Sequence, residues 1–202
     1  MFKAISLLFS SLLLTIPSSA YFSVLDTGEV VKTGEYKVLA EGQFLTDAPE
    51  GFNLNGRFAT GIDEESELQI ELGFGSIDFN IGGFYKWVPV PDTDDQPAVG
   101  VRAGFTFAQV SDFSTYGLNV TPFASKKFET EHGVFSPYVG VPIGLQQNSI
   151  DTRFSLQASI GLEWIPDQWS LPELYGFRFL TEYSFEIDDA FSYFSIASSY
   201  SF

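Results

Sequence analysis

From Tyr36 onward, apolar residues recur at every second position, the period of a strand with two chemically different faces. Tyr36, Val38, Ala40, Gly42 and Phe44 share one face of the first run, against Lys37, Leu39, Glu41 and Gln43 on the other. Phe52 to Ile62 alternates against Asn53, Asn55, Arg57 and Ala59, and Leu68 to Phe74 against Glu67, Gln69, Glu71 and Gly73. The phase then flips. Ile77, Phe79, Ile81, Tyr85 and Trp87 are apolar against Asp78, Asn80, Gly82 and Lys86. A slip of one residue moves every side chain to the other face, so the flip implies a turn, and Gly75-Ser76 suits a two-residue hairpin.

Six more runs follow: 99–107, 116–122, 135–145, 154–164, 175–185 and 194–202. Ten such strands, each long enough to cross a bilayer when tilted, predict an all-β, antiparallel, up-and-down transmembrane β-barrel, with eight strands as the alternative count. The connectors carry turn chemistry, as in Asp47-Ala48-Pro49-Glu50-Gly51 and Asp63-Glu64-Glu65-Ser66. Residues 34–202 form one domain.

Alternation by itself fits two barrels. A soluble one points its apolar face inward, whereas a membrane one points it at lipid. The apolar faces carry no charge through mid-strand, and aromatics sit near strand ends, among them Tyr36, Phe52, Trp87, Tyr116, Phe135, Trp164 and Tyr175. Both features match a lipid-facing wall with interfacial girdles.

Met1 to Ala20 has Lys3, then an apolar stretch from Ala4 to Ile16, then the small residues Ser18 and Ala20. This is the pattern of a secretory signal peptide. Residues 21–33 are expected to be an N-terminal periplasmic tail.

The last run closes on Phe202, with Phe194, Ile196 and Tyr200 in phase. This ending resembles the C-terminal signature of bacterial outer-membrane β-barrels. The resemblance implies location in the bacterial outer membrane, among membrane lipid and lipopolysaccharide. It implies that Phe194, Ile196, Tyr200 and Phe202 form the signal recognised by the barrel-assembly machinery. It also implies that both termini face the periplasm. The barrel is expected to be a monomer.

Charge adds a second layer. The chain carries 10 Lys+Arg against 26 Asp+Glu, a net charge of -16, which argues against nucleic acid as a partner. With no cysteine, disulfides and thiolate sites are excluded. On the polar faces stand Lys37, Arg57, Lys86, Arg102, Lys127, Arg153 and Arg178, balanced by Glu41, Glu67, Glu71, Asp78, Glu163, Glu182 and Glu186. Isolated charges are costly to desolvate, so these residues are expected to form a lumenal ion-pair network. A ten-stranded barrel is narrow enough for side chains to fill, which favours a sealed interior over a narrow conducting path. The remaining acids, Asp26 and Glu29 among them, are expected at the rims, where they would favour cations if any ion passed.

Candidate chemistry is sparse. His132 is the only histidine and lies in the turn Glu129-Thr130-Glu131-His132-Gly133, with no phased Ser and carboxylate to meet it. Asp92-Thr93-Asp94-Asp95 offers oxygen ligands but lacks the glycine and distal glutamate of a calcium loop. The expectation is a non-enzymatic barrel with a structural, surface or narrow transport role, without cofactor or metal. The alternatives are a soluble secreted β-barrel that binds an apolar ligand, and a lipid-modifying outer-membrane enzyme.

Overall fold

A computed structural model describes residues 23–47, 50–110, 113–148, 151–167 and 171–202. The expected signal peptide, residues 1–20, lies outside the described residues. The strands are β1 (Tyr36–Leu45), β2 (Gly51–Gly61), β3 (Ser66–Gly75), β4 (Phe79–Val90), β5 (Ala98–Val110), β6 (Phe113–Ser125), β7 (Phe128–Thr130), β8 (Gly133–Gly140), β9 (Ile143–Asn148), β10 (Thr152–Pro166), β11 (Phe177–Asp188) and β12 (Tyr193–Ser201).

Two staves of the barrel are each written in two pieces. β7 continues β6 past Ser125, and β9 continues β8 past Val141-Pro142. Proline lacks the N–H a ladder needs, yet the hydrogen bonding runs on there. Val141 N–H donates to the Pro122 carbonyl at 3.0 Å, and the Pro142 carbonyl accepts from Gln157 N–H at 3.0 Å. The result is ten antiparallel staves, each paired with its sequence neighbour, and β1 pairs with both β2 and β12. Closure is completed by reciprocal 2.9 Å bonds between the main chains of Tyr36 and Phe202. A closed barrel leaves no strand edge unpaired.

The wall is inside-out relative to a soluble protein. Outward residues Leu118 and Phe105 are 66% and 65% exposed, whereas inward Lys86 and Arg102 are 0% and 3% exposed. Aromatic pairs ring both rims. Tyr36–Phe58, Phe135–Trp164 and Phe177–Tyr200 lie at the end where β1 begins, and Phe44–Phe52, Phe74–Phe79 and Phe107–Tyr116 lie at the other. Phe194, Ile196, Tyr200 and Phe202 all belong to the exposed outer face.

The β3–β4 connection differs from the two-residue hairpin read from the sequence. β3 runs through Gly75, at φ 148, and β4 starts at Phe79. Ile77 turns inward, and its N–H donates to Asn53 Oδ1 at 3.0 Å. Asp78 is therefore exposed at the turn rather than lumenal.

At the end opposite the start of β1, Leu45, Ile77, Ala108, Phe191 and Tyr193 form a buried apolar cluster. They come from around the circumference, so the cluster packs across the bore. The other end is entered by the chain itself. Residues 23–33 turn at Gly34 (φ 86), touch the wall at an isolated bridge between Thr33 and Gly61, and run into the lumen. Ser23, Val24, Leu25, Asp26 and Thr27 are buried there.

Candidate functional site

The barrel interior concentrates the chemistry of this chain, and residues 23–31 are at its centre. Alternation places Arg57 (β2), Glu67 and Glu71 (β3), Lys86 (β4), Arg102 (β5), Glu163 (β10) and Glu182 (β11) on inward positions. Arg102 donates to the Glu71 carboxylate, and Arg57 forms an ion pair with the same carboxylate. Lys86 Nζ lies 3.6 Å from Glu67, and Lys37 lies 3.8 Å from the same carboxylate. The Arg102 guanidinium also stacks 3.6 Å from the ring centroid of Phe84, an inward aromatic on β4.

This wall grips the inner segment largely by its main chain. The Glu182 carboxylate accepts from Val24 N–H at 2.9 Å and Leu25 N–H at 2.6 Å. Arg57 donates to the carbonyls of Ser23, Val24 and Leu25 at 3.0 to 3.2 Å, and Arg102 to that of Ser23 at 3.0 Å. Lys86 donates to the Glu29 carbonyl, and Glu67 accepts from Val31 N–H, each at 2.7 Å. Ser125 Oγ accepts from Gly28 N–H at 2.8 Å.

Two acidic side chains of the segment complete the grip. Asp26 lies 2.7 Å from Lys86 and 3.6 Å from Arg57. Glu29 forms a two-point pair with Arg178 and lies 3.2 Å from Lys127. Burial raises the pKa of either carboxyl, but the cations outweigh it. Lys86, Lys37 and Arg57 hold Asp26 well below its ordinary range, and Arg178 and Lys127 do the same for Glu29. Both acids were expected at the rim. They are lumenal instead, because the segment that carries them folds inward.

Other sequence-predicted members stand elsewhere. Glu186 keeps the phase of Glu182 and Ser184, opposite inward Gln157, but is exposed near the end of β11, where the register against β10 shifts. Arg153 is at the rim opposite the start of β1, pairing with Asp151 at 3.5 Å and Asp189 at 3.4 Å. Glu41 is inward, but its partners are hydroxyls and an amide: Ser23, Ser195 and Asn55. Arg178 lies 3.6 Å from Glu163, which also accepts from Thr27 Oγ1.

Tyr138 and Tyr193 are inward residues that the alternation did not single out. Their hydroxyls donate to Glu182 at 2.9 Å and 2.7 Å. A signal for Tyr138 was present. Gly161 faces it across the β8–β10 ladder, and a Cβ there would overlap Tyr138 Cζ.

Both chemical candidates outside the lumen are turn residues. His132 is exposed in its turn, and its carbonyl accepts from Trp164 Nε1 at 3.0 Å. Among the described residues no group of three or more metal-ligating side chains comes together. The oxygens of the Asp92 turn are addressed by a cation of the chain itself. Lys126 Nζ donates to Asp92 Oδ1 at 2.8 Å and to the Thr93 carbonyl.

No protein-family model matches this chain, and no curated protein matches it. Solved structures similar to it at low identity include two transmembrane β-barrels. One is a de novo designed transmembrane β-barrel, with 13% identity, 85% of this chain and 98% of that chain covered, and a TM-score of 0.42. The other is the translocator domain of the autotransporter NalP from Neisseria meningitidis, with 11% identity, coverage of 82% and 86%, and a TM-score of 0.44.

Proposed function

We propose that this chain is a non-enzymatic integral β-barrel protein of a bacterial outer membrane, present as a monomer with a sealed lumen. The observation that carries the reading is the inverted wall: exposed Leu, Ile, Phe and Val outside, buried Arg, Lys, Glu and Gln inside. In water such an exterior is an aggregation surface, whereas in a bilayer it is a solvent-matched one. Membrane lipid and lipopolysaccharide are then its lateral neighbours, and its β12 ending is the element offered to the assembly machinery.

The filling supports the sealed state. The inner segment is buried inside the wall, and the apolar cluster around Phe191 and Tyr193 lies toward the other end. An apolar ligand inside a soluble barrel would need an apolar chamber, and the lining here is charged. The test has two readings. Fractionation should recover the protein only in detergent-extractable outer membrane, and release with the soluble periplasm would overturn the placement. Reconstituted in planar bilayers it should give no discrete current steps, and a stable conductance would overturn the seal.

A further inference from the structure

Residues 23–31 are not a stave of the barrel. The β1–β12 ladder closes without them, and the bridge at Thr33, just beyond them, ties the chain to the wall. They are held the way a bound peptide is held. Glu182, Arg57 and Ser125 read N–H and carbonyl groups of the segment, which any extended sequence supplies. Selectivity resides in three positions. Asp26 meets Lys86, Glu29 meets Arg178, and Gly28 between them lies against the wall, where a Cβ would overlap the Cβ of Ala98.

The apolar component is four side chains: buried Val24 and Val31, Leu25 against Leu39, Leu180 and Ala197, and Val30 beside Val88, Ala98 and Phe123. The rest of the surrounding wall is mainly charged or polar. Vacated, such a wall of charges facing one mouth would hydrate rather than collapse. A cavity of about 100 Å³ already lies at that mouth, lined by Glu29, Val30, Lys32, Glu35, Lys37 and Arg178. The connection to β1 passes through exposed Gly34, around which nothing lies within 4 Å of a Cβ position.

We propose that the lumen is a binding site for an extended peptide segment with two carboxylates three residues apart and a glycine between them, occupied in cis by residues 23–31. A segment of a partner protein with that chemistry is the ligand it would take in trans by displacing the internal one. The inference does not depend on which membrane holds the barrel.

The experiment keeps the full chain through folding. A protease site is inserted at Gly34, the folded protein is nicked in detergent, and a fluorescent synthetic peptide spanning residues 23–32 is added. The expected result is saturable one-to-one exchange, competed by unlabelled peptide. The same peptide carrying D26N and E29Q should bind roughly a hundredfold more weakly, about tenfold for each carboxylate neutralised. In nicked Arg178→Ala protein, the wild-type peptide should weaken, and the penalty for E29Q should shrink, Lys127 being the cation left beside residue 29. Failure of the labelled peptide to enter nicked protein that remains folded would overturn the proposal. So would entry that is indifferent to the two carboxylates.

Discussion

Glu29 and Arg178, 149 residues apart in sequence, face each other through two hydrogen bonds of 2.7 Å. One residue belongs to the inner segment and the other to β11, so this pair couples the segment's position to the wall. Bidentate carboxylate–guanidinium pairs are the strong class of charged contact. Glu29→Gln should weaken docking by about 1.5 kcal/mol, a roughly tenfold rise in the undocked population. Amide hydrogen exchange of residues 24–31 would report it. Exchange unchanged from wild type would show that the pair contributes nothing to docking.

The same pair sets a pH dependence. The Glu29 carboxyl is held below its ordinary value by Arg178 and Lys127, against a burial effect of opposite sign, with Glu163 the nearby acid on the same guanidinium. A carboxyl depressed in the docked state stabilises docking above its free pKa, and that contribution is lost as pH falls through the docked value. The loss therefore begins only below about pH 4, the ordinary carboxylate range. Glu41, Glu163 and Glu182 also face the segment, so the Glu29 contribution is read as the difference between wild type and Glu29→Gln. That difference in segment exchange should stay constant from about pH 7 to 5 and narrow only below about pH 4. Narrowing between those first two values would refute the assignment.

Gly28 offers a steric test that leaves every charge in place. In Gly28→Ala the new Cβ overlaps the Ala98 Cβ, and wall and segment must part. Overpacking of this kind costs about 1–3 kcal/mol. Adding Ala98→Gly removes the offending atom, and the next wall side chain is Ser125, its Oγ at 3.2 Å. Protease sensitivity at residues 33–35 should rise in the single variant and return toward wild type in the double one. Additive damage would sink the contact as the cause.

A parallel case inside the wall is Gly161. Its Ala variant crowds the Tyr138 ring, whose hydroxyl donates to Glu182. Gly161→Ala should lower the unfolding midpoint by a few degrees, from about 1–3 kcal/mol of strain and a weakened bond. Tyr138→Phe removes the hydroxyl but keeps the ring, so it should separate the two contributions. An unchanged midpoint for Gly161→Ala would mean that the ring relocates freely.

The barrel was legible because a strand's period is two and each run holds its phase between turns. The inward positions of Arg57, Glu71, Lys86, Arg102, Glu163 and Glu182 fall where alternation puts them. The misplaced residues sit where the runs end. Asp78 follows a turn longer than the hairpin read from Gly75-Ser76, and Glu186 adjoins a register shift. The inner segment was not legible. Ser-Val-Leu-Asp-Thr-Gly-Glu has no period because it joins no ladder, and main-chain groups, which leave no trace in a sequence, carry most of its contacts. Balancing the wall charges among themselves also hid it, since Lys86 pairs with Asp26 and Arg178 with Glu29.

The outer face can be tested at Leu118, the centre of β6 and one of the most exposed apolar side chains. Its ladder neighbours Phe105 and Leu145 are exposed as well, so an introduced charge has no polar surface to reach across the stave. In a bilayer, Leu118→Arg should cost about 2–4 kcal/mol, the range for a cation at the midplane of a barrel's lipid face. In water the same change would add a solvated charge at little cost. Glu131→Arg, in the exposed turn beside His132, provides the control, because that position is solvated in either environment. Urea unfolding in lipid vesicles should show a lowered midpoint for Leu118→Arg and none for Glu131→Arg. Equal midpoints for the two variants would mean that Leu118 does not face lipid.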